Sequence, residues 1–146
     1  MVTIPGSTPI PTPIATPTAA RPYLLVVDDD DAVRDSVEAL FTSLDYEVAT
    51  ARNSKEALAL MARRRADVVL TDIFMPASDG FELITALRRK YNATMVAAMS
   101  GGHAGFNPLA FANKLGADLV IDKPFRSLHL VEAVDRLIRG FGRRPN

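Results

Sequence analysis

Five aspartates in two places carry most of the chemical potential of this chain. Four are consecutive, Asp28 to Asp31, and follow directly on the apolar run YLLVV; the fifth, Asp72, ends the stretch DVVLTD. Four like charges at the end of one apolar run repel one another, so the site either uses negative charge or leaves water to screen it. Carboxylates gathered without a counterion raise one another's pKa, and a divalent cation relieves that strain. Oxygen donors with no His or Cys beside them select a hard ion, and Mg²⁺ is the common cellular choice. Ser100 in AAMSGG and Lys123 in VIDKPF add a hydroxyl and a cation. Singly, a serine before two glycines reads as a turn residue and a lysine as a surface charge. Three acids, one hydroxyl and one ammonium together suit a phosphoryl group and Mg²⁺, with one Asp left as nucleophile.

Those residues meet only if the elements that carry them lie side by side. YLLVV is a short strand. Asp31 is expected to cap a helix with Val33, Val37, Leu40, Phe41 and Leu44 on one stripe. YEVATA is a second, more amphipathic strand. Asn53 followed by Glu56 reads as a capping box opening a helix with Ala57, Leu58 and Met61. DVVL is a third strand, apolar on both faces. Gly80 begins a helix carrying Phe81, Leu83, Ile84 and Leu87. TMVAAM is a fourth strand, and a short helix from about Leu109 to Leu115 stops at Gly116. DLVI is a fifth strand, before a last helix with Leu128, Val131, Val134, Leu137 and Ile138 inward.

This is βα repeated five times between Tyr23 and Arg139. The alternation predicts an α/β fold, a doubly wound five-stranded parallel sheet of flavodoxin-like type with helices on both faces. Right-handed crossovers and five strands favour the order 2-1-3-4-5. The switch point then falls between the first and third strands, and ligands bind beyond their carboxyl ends. Asp28 and Asp29 end the first strand and Asp72 the third, so strand adjacency brings them into one crevice although 43 residues separate Asp29 from Asp72. Asp30 and Asp31 lie past the strand. For them the plain reading stands: a solvated helix start, where negative charge suits the helix dipole.

Composition narrows the classes. A chain of 146 residues suggests one domain, and a hydrophobic fraction of 48% supplies an ordinary core. Formal net charge is zero, which argues against nucleic-acid binding by bulk electrostatics. Cysteine is absent, so disulfides and thiolate metal sites are excluded and a cytoplasmic location fits. No apolar run approaches the roughly 20 residues that span a bilayer, so no membrane partner is expected. Six of the ten prolines fall in residues 1–22, interleaved with threonines. That segment lacks the basic start and apolar core of a secretory signal. It is expected to be a disordered, polyproline-like leader, with a docking peptide for a proline-reading partner as the alternative. Residues 140–146 are expected to be a flexible tail.

The ordered set LLVVDDD, VVLTDIFMPASDG, AAMSGG, LGAD and DKPF resembles the receiver domain of bacterial two-component response regulators, similar to single-domain chemotaxis-type regulators. The resemblance covers Tyr23 to about Arg139, residues 23–139. It implies that Asp72 is the phosphoacceptor, taking a phosphoryl group from a His of a sensor histidine kinase or phosphotransfer protein. It implies Mg²⁺ held by Asp28, Asp29, a carboxylate oxygen of Asp72 and the backbone carbonyl of Phe74. Lys123 would pair with Asp72 before transfer and with the phosphoryl group afterwards. Ser100 would swing its hydroxyl onto a phosphoryl oxygen, and Lys123–Pro124 would be a cis peptide. The chain would promote only its own phosphotransfer and autodephosphorylation, and would not be an enzyme.

Departures from the family pattern are informative. Ser100 stands where Thr is commoner and lacks the stiffness of a β-branched side chain. Val120 stands where an aromatic residue is frequent, so no aromatic rotamer can report the switch. Phe74 and Gly102 offer nothing to orient an attacking water, so self-dephosphorylation is expected to be slow. Only GFGRRPN follows Arg139, so the output is expected to be a partner protein. Its expected docking face is the fourth helix, fifth strand and fifth helix; Phe106, Leu109 and Phe111 lie in or near that fourth helix, and at least two of them read as ordinary core packing. Arg139, Arg143 and Arg144 read as a solvated tail, with contact to an acidic partner as the alternative. Two other classes fit the architecture. A phosphorylation-independent adaptor would usually lack the acceptor or an acidic partner, and both are present. A flavin or nucleotide binder needs a phosphate-cradling loop after the first strand, where four aspartates would repel phosphate.

Overall fold

A computed structural model describes residues 21–75, 80–101 and 108–140. The leader up to residue 20, Gly102, Phe106 and the tail from residue 141 lie outside the described residues, as do the side chains of Leu109 and Phe111. Among the described residues five strands alternate with five helices. The strands are β1 (Tyr23–Val27), β2 (Glu47–Ala51), β3 (Val68–Asp72), β4 (Met95–Ser100) and β5 (Leu119–Asp122). The helices are α1 (Asp31–Ser43), α2 (Ser54–Arg63), α3 (Gly80–Lys90), α4 (Pro108–Leu115) and α5 (Ser127–Ile138). All pairings are parallel and the sheet order is β2-β1-β3-β4-β5, the order expected of the sequence.

The apolar runs explain the layering. β1, β3 and β4 are buried along their whole length, which only helices on both faces permit. One face packs Leu25, Val27, Val69, Ile73 and Val96 against Ala57 and Met61 of α2 and Leu83, Ile84 and Leu87 of α3. The other packs Leu24, Val26, Leu70 and Met99 against Val37 and Phe41 of α1 and Leu130, Val134 and Leu137 of α5. Between α3 and the sheet edge, Arg88 donates to the carbonyls of Gly116 (2.7 Å) and Thr94 (2.7 Å) and pairs with Asp118 (2.5 Å). Asp118 also accepts from the Val96 N–H. A buried ion pair thus joins the last turn of α3 to the turn that leads into β5.

Four local expectations need correction. Asp30, not Asp31, caps α1: its carboxylate accepts from the N–H groups of Ala32 and Val33, because Asp30 holds the extended backbone a cap requires. Asn53 does cap α2, accepting from the Glu56 N–H at 2.8 Å. Glu56, however, reaches back to the Arg52 N–H at 2.9 Å and the Arg52 guanidinium, one residue before the cap, since that cation attracts it. Leu128 is 66% exposed, and the inner stripe of α5 is Leu130, Val134 and Leu137. The helix begins at Ser127, which turns Leu128 outward in the first turn. Leu44 is 45% exposed because α1 ends at Ser43 and Leu44 is its C-cap.

Candidate functional site

The carboxyl ends of β1 and β3 are adjacent in register, Val27 beside Thr71. The next residues are therefore side by side, and Asp28, Asp29 and Asp72 each offer an oxygen, all within 4.8 Å of one another. The backbone continues to pair past the strands and holds these ends still. Asp28 N–H donates to the Ala51 carbonyl (3.1 Å), Ile73 N–H to Met99 (3.0 Å), and Lys123 N–H to Ser100 (2.8 Å). The last bond, with a cis Lys123–Pro124 peptide, sets the start of the β5–α5 loop against the end of β4. Ser100 and Asp28 are each 1% exposed, and Asp72 is 6% exposed.

Lys123 enters from the far side. Its Nζ donates to Asp28 Oδ2 at 2.8 Å and stands 3.4 Å from Asp72 Oδ1. Burial pulls the ammonium's pKa down, but the hydrogen bond to Asp28 and the charges of Asp72 and Asp28 outweigh it, and the net shift is upward. One lysine does not neutralise three carboxylates. Burial, then the charge of Asp28, pushes Asp72 up to about 6, against the pull of Lys123. An oxygen-only cradle left this electronegative fits a hard divalent cation.

The four consecutive aspartates have four different tasks. Asp28 faces the crevice and takes Lys123 on Oδ2 and the Asp30 N–H on Oδ1 at 3.0 Å. Asp29, exposed, adds its oxygen to the acidic group. Asp30 caps α1. Asp31, in the first turn of α1, pairs with Arg34. The sequence sets Asp28 and Asp29 apart from Asp30 and Asp31 but does not flag Arg34, whose Nη1 donates to the Asp28 carbonyl at 2.7 Å. An arginine one turn past an acidic strand end was the available signal.

Gly80 is the other residue whose importance the sequence hides. A Cβ there would lie 2.2 Å from the carbonyl oxygen of Asp72 and 2.8 Å from the Cα of Ile73. Its N–H donates to the Ile73 carbonyl at 2.7 Å. The start of α3 thus rests directly on the backbone of Asp72, and no side chain fits between. Phe74 is half-buried and meets the Phe81 ring edge-on, centroids 6.0 Å apart at 83°. Its ring puts an apolar group two residues after Asp72.

Comparison with known proteins agrees with this geometry. A family model of the response regulator receiver domain matches residues 24–135. The transcriptional regulatory protein PrrA of Mycobacterium tuberculosis is 38% identical over 121 residues, covering 83% of this chain and 52% of that protein. The nitrogen assimilation regulatory protein NtrX of Azorhizobium caulinodans is 32% identical over 117 residues, 79% of this chain and 26% of that one. The chain thus spans about half, or less, of the length of these curated relatives. Among solved structures, the chemotaxis protein CheY4 of Vibrio cholerae is 30% identical with a TM-score of 0.75. That match covers 81% of this chain and 99% of CheY4. The receiver domain of NtrX from Brucella abortus gives the same TM-score and identity, over 80% and 98% of the two chains.

Proposed function

Because the chain belongs to the response regulator receiver domain family, we propose that Asp72 accepts a phosphoryl group from a histidine kinase or a phosphotransfer protein. As a member of that family it is a phosphoacceptor signalling domain of two-component systems, not a conventional enzyme. The observation that carries the assignment of the acceptor is the meeting of Asp28, Asp29 and Asp72 within 4.8 Å beside the Lys123 ammonium. Of the three, Asp72 lies at the end of the central strand β3, with the Lys123 ammonium 3.4 Å from one of its oxygens.

Asp28, Asp29, Asp72 and the Phe74 carbonyl would hold Mg²⁺, which when bound supplies positive charge against the entering phosphoryl oxygens. The remaining work falls to the chain's own groups. A carboxylate oxygen of Asp72 attacks phosphorus as the P–N bond to the donor histidine breaks, and the electron pair leaves with the imidazole. Lys123 offsets charge that spreads over the phosphoryl oxygens, so positioning and electrostatics supply most of the rate. Ser100, at the end of β4, would then donate its hydroxyl to a phosphoryl oxygen. Phosphorylation adds nearly two negative charges and three acceptors. Two or three new charge-assisted bonds of about 1.5–3 kcal/mol each can invert a conformational equilibrium that lies a few kcal/mol uphill.

The output reading follows from the same placement. α4, β5 and α5 adjoin Ser100 and Lys123, and that face would meet the output protein. The regulatory names of the relatives belong to longer proteins, of which this chain matches about half or less. Residues 23–139 would be the working unit, the Pro/Thr-rich leader and the tail lying outside it. No helix among the described residues is long and apolar enough to cross a membrane, and a cytoplasmic site of action is part of the proposal.

Incubation with acetyl phosphate and Mg²⁺ tests the reading. The intact mass should rise by one phosphoryl group in the wild type and stay unchanged in Asp72→Asn or in the presence of EDTA. Beryllofluoride should bind with Mg²⁺ in the wild type alone. An unaltered wild-type mass would favour the phosphorylation-independent adaptor.

A further inference from the structure

Arg34 is bound to the acidic turn at two points, yet phosphoryl transfer as described gives it no task. Its side chain is only 11% exposed. Nη1 donates to the Asp28 carbonyl at 2.7 Å, and Nη2 pairs with Asp31. With that bond, every polar group of Asp28 is engaged. Its N–H goes to Ala51, its carbonyl to Arg34, Oδ1 to the Asp30 N–H and Oδ2 to Lys123. The network continues outward. Glu56 lies in the field of Arg34 and Arg52 in that of Asp31, while Arg52 and Glu56 make their own pair at 2.8 Å. The Arg52–Glu56 pair at the start of α2 thus lies within the electrostatic reach of the Asp31–Arg34 pair.

We infer that Arg34 is a positioning residue for Mg²⁺, holding the Asp28–Asp31 turn so that Asp28 and Asp29 present their oxygens to the ion. This rests on the reading of Asp28, Asp29 and Asp72 as the metal cradle. A guanidinium so placed has two opposing effects: its charge repels the ion, and its hydrogen bond orders the ligands. The repulsion is small, because Asp31 neutralises the charge at contact and Glu56 shares it. The ordering remains in full, because the Asp28 carbonyl has the Arg34 donor directly against it. Partners that orient metal ligands from behind commonly change affinity by about 10- to 100-fold.

The test compares Arg34→Lys with Arg34→Met. Lysine keeps the charge and loses the fork that spans Asp28 and Asp31; methionine loses both. Mg²⁺ affinity is read by calorimetry, well below each variant's unfolding temperature. Amide resonances of Asp28 to Asp31 report the order of the turn before and after the ion is added. We expect both variants to bind Mg²⁺ about tenfold more weakly. Their amide signals should be broadened without the ion and sharpened by it. Unchanged affinity in Arg34→Lys overturns the proposal, as does tighter binding in Arg34→Met, which would mean that charge repulsion dominates. Should the methionine variant not fold, the lysine variant decides alone. A wild type that takes up no Mg²⁺ would instead defeat the metal cradle itself, and the two failures are distinguishable.

Discussion

Lys123 Nζ is 2.8 Å from Asp28 Oδ2 and 3.4 Å from Asp72 Oδ1, so the lysine leans towards a proposed metal ligand and away from the proposed acceptor. The resemblance implied a pair with Asp72. The structure makes it a shared cation, because Asp28 is the more deeply buried carboxylate and gains more from a direct partner. With Mg²⁺ held at Asp28, as proposed, the ammonium would be free to move towards Asp72. Lys123→Met should therefore separate two properties. Mg²⁺ affinity should hold or rise, since one positive charge has gone from the cradle. Labelling by acetyl phosphate should slow by about 10²-fold or more, the usual cost of one lost charge-stabilising donor. Intact-mass time courses measure the second effect, and a rate within threefold of wild type would show that Lys123 does not act on the transfer.

The pKa of Asp72 gives a pH dependence with a definite sign. Its folded value of about 6 lies above the ordinary 3.8, raised by burial and by Asp28. The folded state thus binds more protons than the unfolded state between those values, and stability falls as pH rises through that window. The full penalty is present above pH 6 and absent below the unfolded value. Asp72→Asn removes it and leaves Lys123 on Asp28. In metal-free buffer at pH 7.5 the variant should be more stable by about 1–2 kcal/mol, discounted for the solvent that reaches the crevice. Thermal melts at pH 7.5 and pH 4 check this: the gap should close at the lower pH. A gap that widened on acidification would contradict the assignment.

Two glycines near the site should respond very differently to an added methyl group. At Gly80 an added methyl would lie 2.2 Å from the Asp72 carbonyl oxygen, and the neighbour is backbone that cannot rotate aside. Gly80→Ala must push α3 off the end of β3, at a cost of about 3 kcal/mol or more. At Gly101 nothing lies within 4 Å of the same position. Gly101→Ala should change stability by no more than about 0.5 kcal/mol. Urea unfolding of the two variants beside wild type is the measurement.

The acidic crevice was legible because it depends on strand order, which the βα alternation and apolar strands dictate. Asp28, Asp29, Asp72, Ser100 and Lys123 needed only the knowledge of which strand ends are neighbours. Gly80 and Arg34 were not legible, because their roles depend on distances of a few ångström between backbone and side chain. A glycine opening a helix looks the same in sequence whether it starts a turn or rests on a carbonyl. Asp30 and Asp31 could each cap α1, and the choice turned on one residue's backbone angle. Leu128 and Leu130 differ by two positions on an apolar helix, so the inward stripe shifts with a one-residue change in where α5 begins.

The lifetime of the phosphorylated state follows from what stands beside Asp72. Hydrolysis of an aspartyl phosphate needs a water aimed at phosphorus from the side opposite the Asp72 oxygen, and a polar side chain must orient that water. Phe74 presents a ring fixed edge-on against Phe81, with no acceptor. Gly102, two residues after Ser100 in the sequence, has no side chain that could orient the water. The phosphoryl group, once on Asp72, should persist with a half-life of minutes or longer in Mg²⁺. Phe74→Asn would place an amide two residues after the acceptor. It should shorten the half-life by about tenfold, short of the roughly 10²- to 10⁴-fold worth of a positioned general base. Loss of the phosphoryl mass after removal of acetyl phosphate gives both lifetimes. A wild-type half-life of a few seconds would show that another group orients the water, and Phe74 would then have no part in setting how long the signal lasts.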